Sequence, residues 1–152
     1  MPAVRRNRVV EVLWRLHRWA YQRTGGRVGG RLMNMPVLLL TTTGRQSRRA
    51  RTTALSYLGD GDRYVVIASN AGESRHPGWF LNLKADPRAH VQVGPHRLPV
   101  RAWEAAGDER ERLWARVVEA DHSYAEYQRR TRRRIPIVIL QPEHGTAPRL
   151  PV

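Results

Sequence analysis

PVLLLTTTGRQSRRARTTALSY, residues 36–57, sets an apolar run (Val37, Leu38, Leu39, Leu40) ahead of three threonines and Gly44. Arg45, Ser47, Arg48, Arg49 and Arg51 follow, and then a second segment that includes Leu55 and Tyr57. An apolar run, a glycine turn and a second run predict two strands joined by a loop. The loop gathers guanidinium groups, hydroxyls and free backbone N–H groups. Guanidinium forks match phosphate oxygens two at a time, and a cluster of loop N–H groups cradles an anion. The local reading is an anion site on a β-hairpin, suited to a phosphorylated cofactor. The competing reading is a hydrated, arginine-rich turn, and this stretch alone does not separate the two.

The chain's 152 residues make one ordinary domain with one core, and the 41% hydrophobic fraction suits a globular fold. The absence of cysteine excludes disulfides, thiolate metal sites and thiol nucleophiles. No apolar run is long enough to span a bilayer, and the N-terminus lacks a signal-peptide core. A cytoplasmic protein is expected, with a peripheral place on the inner face of the membrane left open. Twenty-seven basic residues against 13 acidic give +14, and Lys84 is the only lysine. Such an excess favours polyanions, anionic lipid surfaces or phosphorylated small molecules.

Residues 1–31 carry eight arginines and one acid, Glu11. Val9, Val12, Leu13, Leu16, Trp19 and Ala20 form an apolar arc, with Arg8, Glu11, Arg15, Arg18 and Gln22 opposite, which predicts a basic amphipathic helix. Such a helix either lies on an anionic membrane or packs on protein. A Gly-rich connector over residues 24–30 follows it. Beyond the hairpin, residues 59–62 signal a tight turn, residues 63–68 a strand and residues 69–74 a small-residue loop. Residues 76–83 predict a short helix. Residues 90–93 and 97–103 predict strands paired across Gly94-Pro95, residues 107–120 an amphipathic helix, and residues 135–140 a buried last strand. From Gln141 an irregular tail is expected. The organisation expected is an N-terminal helix and connector over 1–31, a barrel domain over 32–142 and a tail over 143–152. The fold class is α+β, a β-barrel of about six antiparallel strands with an N-terminal helix and late helices.

Six histidines, at 17, 76, 90, 96, 122 and 144, show no metal-binding helical spacing. His90 and His96 are candidates to face each other across a hairpin, but no carboxylate completes a site, and no metal is expected. Neither a G-x-S-x-G elbow, a Walker loop nor a dinucleotide fingerprint occurs. The arginine run 129–134 reads mainly as a solvated helix. Tyr124 and Tyr127 are three apart and share a helical face, either lining a pocket or capping the barrel.

LLLTTTGRQS…R, GDRYVVIASNAG, HPGWFLNLKADPRAHVQVG and YAEYQRRTRRRIPIVILQP occur in this order between Pro36 and Pro142. In that combination the chain resembles the deazaflavin-dependent nitroreductase family, FMN-binding-like split-barrel oxidoreductases that use coenzyme F420. The resemblance implies that Arg45, Gln46, Ser47 and Arg51 hold the cofactor's phosphate and tail. It also implies that Thr53 and the Ala68-Ser69-Asn70-Ala71-Gly72 loop approach the deazaflavin ring, with Trp79 and Asn82 completing the site. Tyr124 and Tyr127 match tyrosines that close over the substrate, and Ser69, Tyr124 and Tyr127 are the catalytic candidates. Four positions depart from the family pattern. Asn70 replaces a usual lysine, Arg48-Arg49-Ala50-Arg51 replaces Gly-Gln-Pro-Arg, and Ser56 and Asp121 stand where tyrosines occur. The function implied is hydride transfer from F420H2 to a quinone, nitroaromatic or other activated unsaturated acceptor. A flavin-binding split barrel, a non-catalytic F420 binder and a basic nucleic-acid-binding barrel are the alternatives. No aromatic–basic strand of a nucleic-acid stacking platform is evident, so no specific nucleic acid is expected. The oligomeric state stays open, a homodimer among the partners admitted.

Overall fold

The structure, a computed structural model, describes residues 31–32 and 35–143. The expected N-terminal helix, its connector through Gly30 and the tail from residue 144 lie outside the described residues. Six strands close on themselves: β2 (Met35–Thr43), β3 (Ala50–Asp60), β4 (Arg63–Ile67), β5 (Arg88–Val93), β6 (His96–Glu104) and β7 (Ile137–Pro142). The order is β2-β3-β4-β7-β6-β5, and β2 pairs back onto β5. Closure removes the exposed strand edges of an open sheet. A two-residue β1, Arg31–Leu32, adds to β2. It begins at Arg31, the last residue of the N-terminal segment assigned from sequence over 1–31.

Every barrel pairing is antiparallel. The β2–β3 hairpin pairs Val37 with Ser56 through Thr43 with Ala50, so the loop falls at residues 44–49 as the glycine and arginines predict. The next turn is two residues, Gly61-Asp62, closed by the Asp60–Arg63 pair. Gly61 has φ +62°, a left-handed conformation that glycine adopts without a Cβ clash.

Leu38, Leu40, Val66, Val91, Val100, Val138 and Leu140 fill the barrel interior. Helix α1 (Gly78–Ala85) closes one mouth by adding Phe80 and Leu83 to that core. Helix α2 (Gly107–Ala120) lies outside, where Leu113 meets Val65, Ile137 and Ile139. A further outer cluster, Met35, Ile67, Val117 and Ile135, takes Tyr124 and Tyr127 of α3 (Ser123–Arg129) against it. β7 is covered on both faces, by the interior and by α2, which is why it reads as a continuous apolar run.

Two expectations need correction. β7 continues through Pro142, and Glu143 N–H still donates to Pro99 O at 3.0 Å, so the irregular tail does not begin at Gln141. His90 pairs with Pro99 and His96 with Val93, so the two histidines do not face each other. The two-residue turn at Gly94-Pro95 fixes that register.

Candidate functional site

The β2–β3 loop is drawn tight at its base. Gly44 N–H donates to Arg49 O at 2.7 Å, and Arg48 N–H donates to Gly44 O at 2.8 Å. A Cβ on Gly44 would sit 2.5 Å from Ser47 Oγ and 3.2 Å from Arg49 O, so a side chain there would push the Ser47 hydroxyl aside. Ser47 Oγ accepts from Arg49 N–H at 3.2 Å. Residues 45–51 are all exposed. Among the described residues no carboxylate is bonded to Arg45, Arg48, Arg49 or Arg51.

Below this loop the strand pattern places polar groups at the barrel mouth. Leu38, Leu40 and Thr42 lie on the inward row of β2, and their partners Leu55, Thr53 and Arg51 share that row of β3. Thr42 is buried and its Oγ1 accepts from Asn82 Nδ2 at 3.1 Å. Asn82 Oδ1 then accepts from Arg45 Nη1 at 3.0 Å and from Arg45 N–H at 3.2 Å. The buried amide of α1 therefore fixes both the backbone and the side chain of the first loop arginine. Trp79, on the same helix, is half-buried against the interior core.

The segment after β4 forms a second neighbourhood. Asn70–Gly72 is a single 3₁₀ turn. Gly72 packs on α3 so closely that a Cβ would lie 2.7 Å from Tyr127 O. Arg133 donates to the carbonyls of Ala68 (3.1 Å), Ser69 (2.6 Å) and Glu73 (2.9 Å) and approaches His76 Nδ1 at 3.2 Å. The imidazole of His76 lies 4.9 Å from the ring of Phe80 on α1. Burial and then the adjacent Arg133 charge hold its pKa below the ordinary value. A run of contacts through α1 thus connects the two neighbourhoods.

Tyr124 and Tyr127 meet edge to face at 5.8 Å, on one side of α3 as their spacing predicts. Burial, with the Asp121 charge adding, pushes the Tyr124 phenol up to about 12, against a hydrogen bond to Ser56 that lowers it. Two of the family departures, Ser56 and Asp121, are therefore neighbours of this hydroxyl. Among the described residues no group of three metal-ligating side chains occurs.

Arg45, Gln46, Ser47, Arg51, Thr53 and Asn82 belong to the mouth, with Trp79 on the helix that closes it. Ala68, Ser69, Asn70, Ala71 and Gly72 belong to the turn, with Tyr124 and Tyr127 beside it on the outer wall. Thr42 and Arg133 escaped the sequence reading. Thr42 ends an inward-facing row, a signal the strand period carried. Arg133 sits inside an arginine run, and nothing in that run separates it from its hydrated neighbours.

A closed six-stranded barrel with a helix across one mouth, a basic hairpin loop at that mouth and late helices outside is the split-barrel architecture of flavin-type oxidoreductases. The profile of a family described as F420H(2)-dependent quinone reductase matches residues 13–142. An F420H(2)-dependent quinone reductase of Mycobacterium tuberculosis (strain H37Rv) is 45% identical over 132 residues, covering 84% of this chain and 89% of that protein. This chain belongs to the F420H(2)-dependent quinone reductase family. Among solved structures, an F420-H2 dependent reductase, FDR-A, is 42% identical with a TM-score of 0.65. That match covers 70% of this chain and 94% of that one. A second, described as a domain-swapped dimer, is 37% identical with a TM-score of 0.67, covering 89% of this chain and all of that one. A heme-binding protein of Mycobacterium smegmatis, 20% identical with a TM-score of 0.58, shares the fold.

Proposed function

We propose that this chain is an F420H2-dependent oxidoreductase that reduces a quinone, nitroaromatic or other activated unsaturated acceptor. The family match across residues 13–142 carries the reading. The donor set at the mouth suits a phosphorylated cofactor, because the β2–β3 hairpin carries an exposed Arg51 and an Arg45 already oriented by Asn82. Arg45, Gln46, Ser47 and Arg51 are assigned to the cofactor's phosphate and tail. Thr53, Trp79, Asn82 and the Ala68–Gly72 turn are assigned to its ring. Reduced F420 supplies a hydride when bound and resists one-electron chemistry. The protein's part is to orient that cofactor, bring the acceptor within reach and exclude water. Ser69 is assigned a hydrogen bond near the reacting centre. Tyr124 or Tyr127 is assigned to orient the acceptor or donate a proton to it, and a phenol with a pKa of about 12 stays protonated throughout the working range.

Titration of the purified protein with F420 and with FMN, followed by F420H2 oxidation with quinone and nitro acceptors, tests the reading. Tight F420 binding with turnover is expected. Preference for FMN, or F420 binding without turnover on any acceptor, would overturn it.

Residues 1–31 are proposed as a locating segment, for their basic amphipathic pattern, that holds a cytoplasmic barrel domain (32–142) against anionic membrane. Among the described residues no helix is long and apolar enough to cross a membrane. Deleting 1–31 should leave F420 affinity nearly intact and weaken co-sedimentation with anionic vesicles, and equal vesicle binding would refute the role. A homodimer is the assembly to test, since one solved relative is a domain-swapped dimer.

A further inference from the structure

The turn after β4 holds backbone that side chains normally avoid. Asn70 (φ +46°) and Ala71 (φ +54°) are both left-handed, and Gly72 follows at φ +80°. Left-handed backbone sets Cβ against the next carbonyl, a clash that asparagine tolerates better than alanine. Two such residues in succession persist only where the surroundings over-determine them. Within the turn, Gly72 N–H donates to Ser69 O at 2.9 Å and Glu73 N–H to Asn70 O at 3.1 Å. The Asn70 amide adds contacts to Glu73 and to Arg75 O. These are local bonds of an ordinary tight turn.

The remaining support comes from far along the chain. Arg133 bonds Ala68 O and Ser69 O ahead of the left-handed pair and Glu73 O behind it. One planar fork therefore pins both flanks of the strained pair, with all three of its nitrogens engaged. Charged donors make the stronger hydrogen bonds, and an ammonium cannot reproduce the fork. Arg133 is half-buried, unlike the exposed Arg132 and Arg134 on either side.

We propose that Arg133 is the positioning residue of the Ser69–Gly72 turn, and that it acts on the reaction only through the backbone it holds. The consequence for turnover rests on the deazaflavin reading, but the hold on the turn does not. His76 extends the arrangement. With Nδ1 accepting from Arg133, its proton sits on Nε2, and a second proton would set a cation against the guanidinium. The charged groups facing His76 are Arg133, Lys84 of α1 and Glu104 of β6. Acidification should therefore loosen the turn.

The test compares Arg133→Ala, Arg133→Lys and the exposed control Arg132→Ala. In cofactor-free protein, amide exchange at Gly72 and Glu73 should quicken about tenfold or more in Arg133→Ala and less in Arg133→Lys, on the scale of one charged hydrogen bond lost. Arg132→Ala should exchange like the parent. Turnover at saturating F420H2 should fall roughly ten- to a hundredfold in Arg133→Ala, the scale of an ångström-sized misplacement. F420 affinity should change far less. Turnover of the parent should decline on acidification, and His76→Asn, which keeps an acceptor that does not titrate there, should flatten that limb. Parent-like exchange and turnover in Arg133→Ala would overturn the proposal, as would faster exchange spread evenly over the barrel. Should Arg133→Ala fail to fold, Arg133→Lys carries the same test, and parent-like values in it overturn the proposal. A parent protein that neither binds F420 nor turns over would sink the deazaflavin reading instead, with the exchange data still deciding the role of Arg133.

Discussion

The two ends of β3 carry arginine clusters with opposite fates. At the N-terminal end, Arg45, Arg48, Arg49 and Arg51 surround the β2–β3 loop, exposed and without a bonded carboxylate among the described residues. At the C-terminal end, Arg63, Arg112 and Arg116 all converge on Asp60. Arg112 meets both carboxylate oxygens at 2.9 and 3.1 Å, and Arg63 also reaches Glu109 at 3.2 Å. An eleven-residue strand separates the clusters, about 33 Å at the extended rise. The Asp60 end ties the turn before β4 to the outer helix α2, so its charge is spent within the fold. The loop end leaves its charge unspent, as an anion site requires. The count of arginines is similar at both ends, and the presence or absence of a carboxylate decides what they do.

Breaking the unspent cluster should give the largest effect. Arg51→Ala should lower F420 affinity roughly ten- to a hundredfold, the loss of one charge-assisted bidentate contact worth about 1.5–3 kcal/mol. Arg51→Lys should recover only part of it. Fluorescence quenching at two ionic strengths measures both. Unchanged affinity in Arg51→Ala would remove the phosphate assignment.

Breaking the spent cluster should cost stability instead. Asp60→Asn should lower the unfolding free energy by about 1–2 kcal/mol, since the carboxylate is mostly buried but two of its arginines are substantially exposed. F420 affinity should not move. The hydrogen bonds from Arg112 and then Arg63 hold the Asp60 carboxyl well below its ordinary 3.8. A depressed carboxylate stabilises above its unfolded pKa and loses that contribution as pH falls further. Denaturation of the parent below about pH 4 should therefore be steeper than that of Asp60→Asn. Equal slopes would mean that Asp60 contributes little to acid stability.

A smaller change should come from Tyr124→Phe, which removes a hydroxyl bonded to Ser56 but keeps the ring against Tyr127. Turnover should fall while F420 affinity holds, the mark of a contact made with the acceptor. Equal turnover on several quinones and nitro compounds would leave Tyr124 as part of the outer wall. The smallest effect belongs to Arg49→Ala, which should shift F420 affinity by less than about threefold and mainly at low salt. A loss as large as that of Arg51→Ala would turn the loop into a diffuse positive field and erase the contrast between the clusters.

Much of the barrel was legible in the sequence because its signals are local. Gly44 and Gly61 mark the two hairpin turns, Gly61 by the left-handed backbone it permits, and α2 was found by period over residues 107–120. The apolar run at residues 135–140 shows that its strand is buried, while its end at Pro142 depends on pairing with Val100 of β6. The linked motifs made the family legible as well, and two residues they single out, Arg45 and Asn82, are in contact. Only the tertiary structure could separate Arg133 from the arginines beside it. Arg49, Arg63 and Arg133 are chemically identical in the chain; Arg49 and Arg133 sit in basic stretches, whereas Arg63 follows Asp60 and Asp62. One becomes a hydrated loop charge, one an ion-pair partner and one a clasp on three carbonyls. That choice is made by what lies near: open solvent, the Asp60 carboxylate across a two-residue turn, or a strained turn 60 residues away from the arginine that holds it. A charge is fixed by sequence, but its partner is fixed by folding.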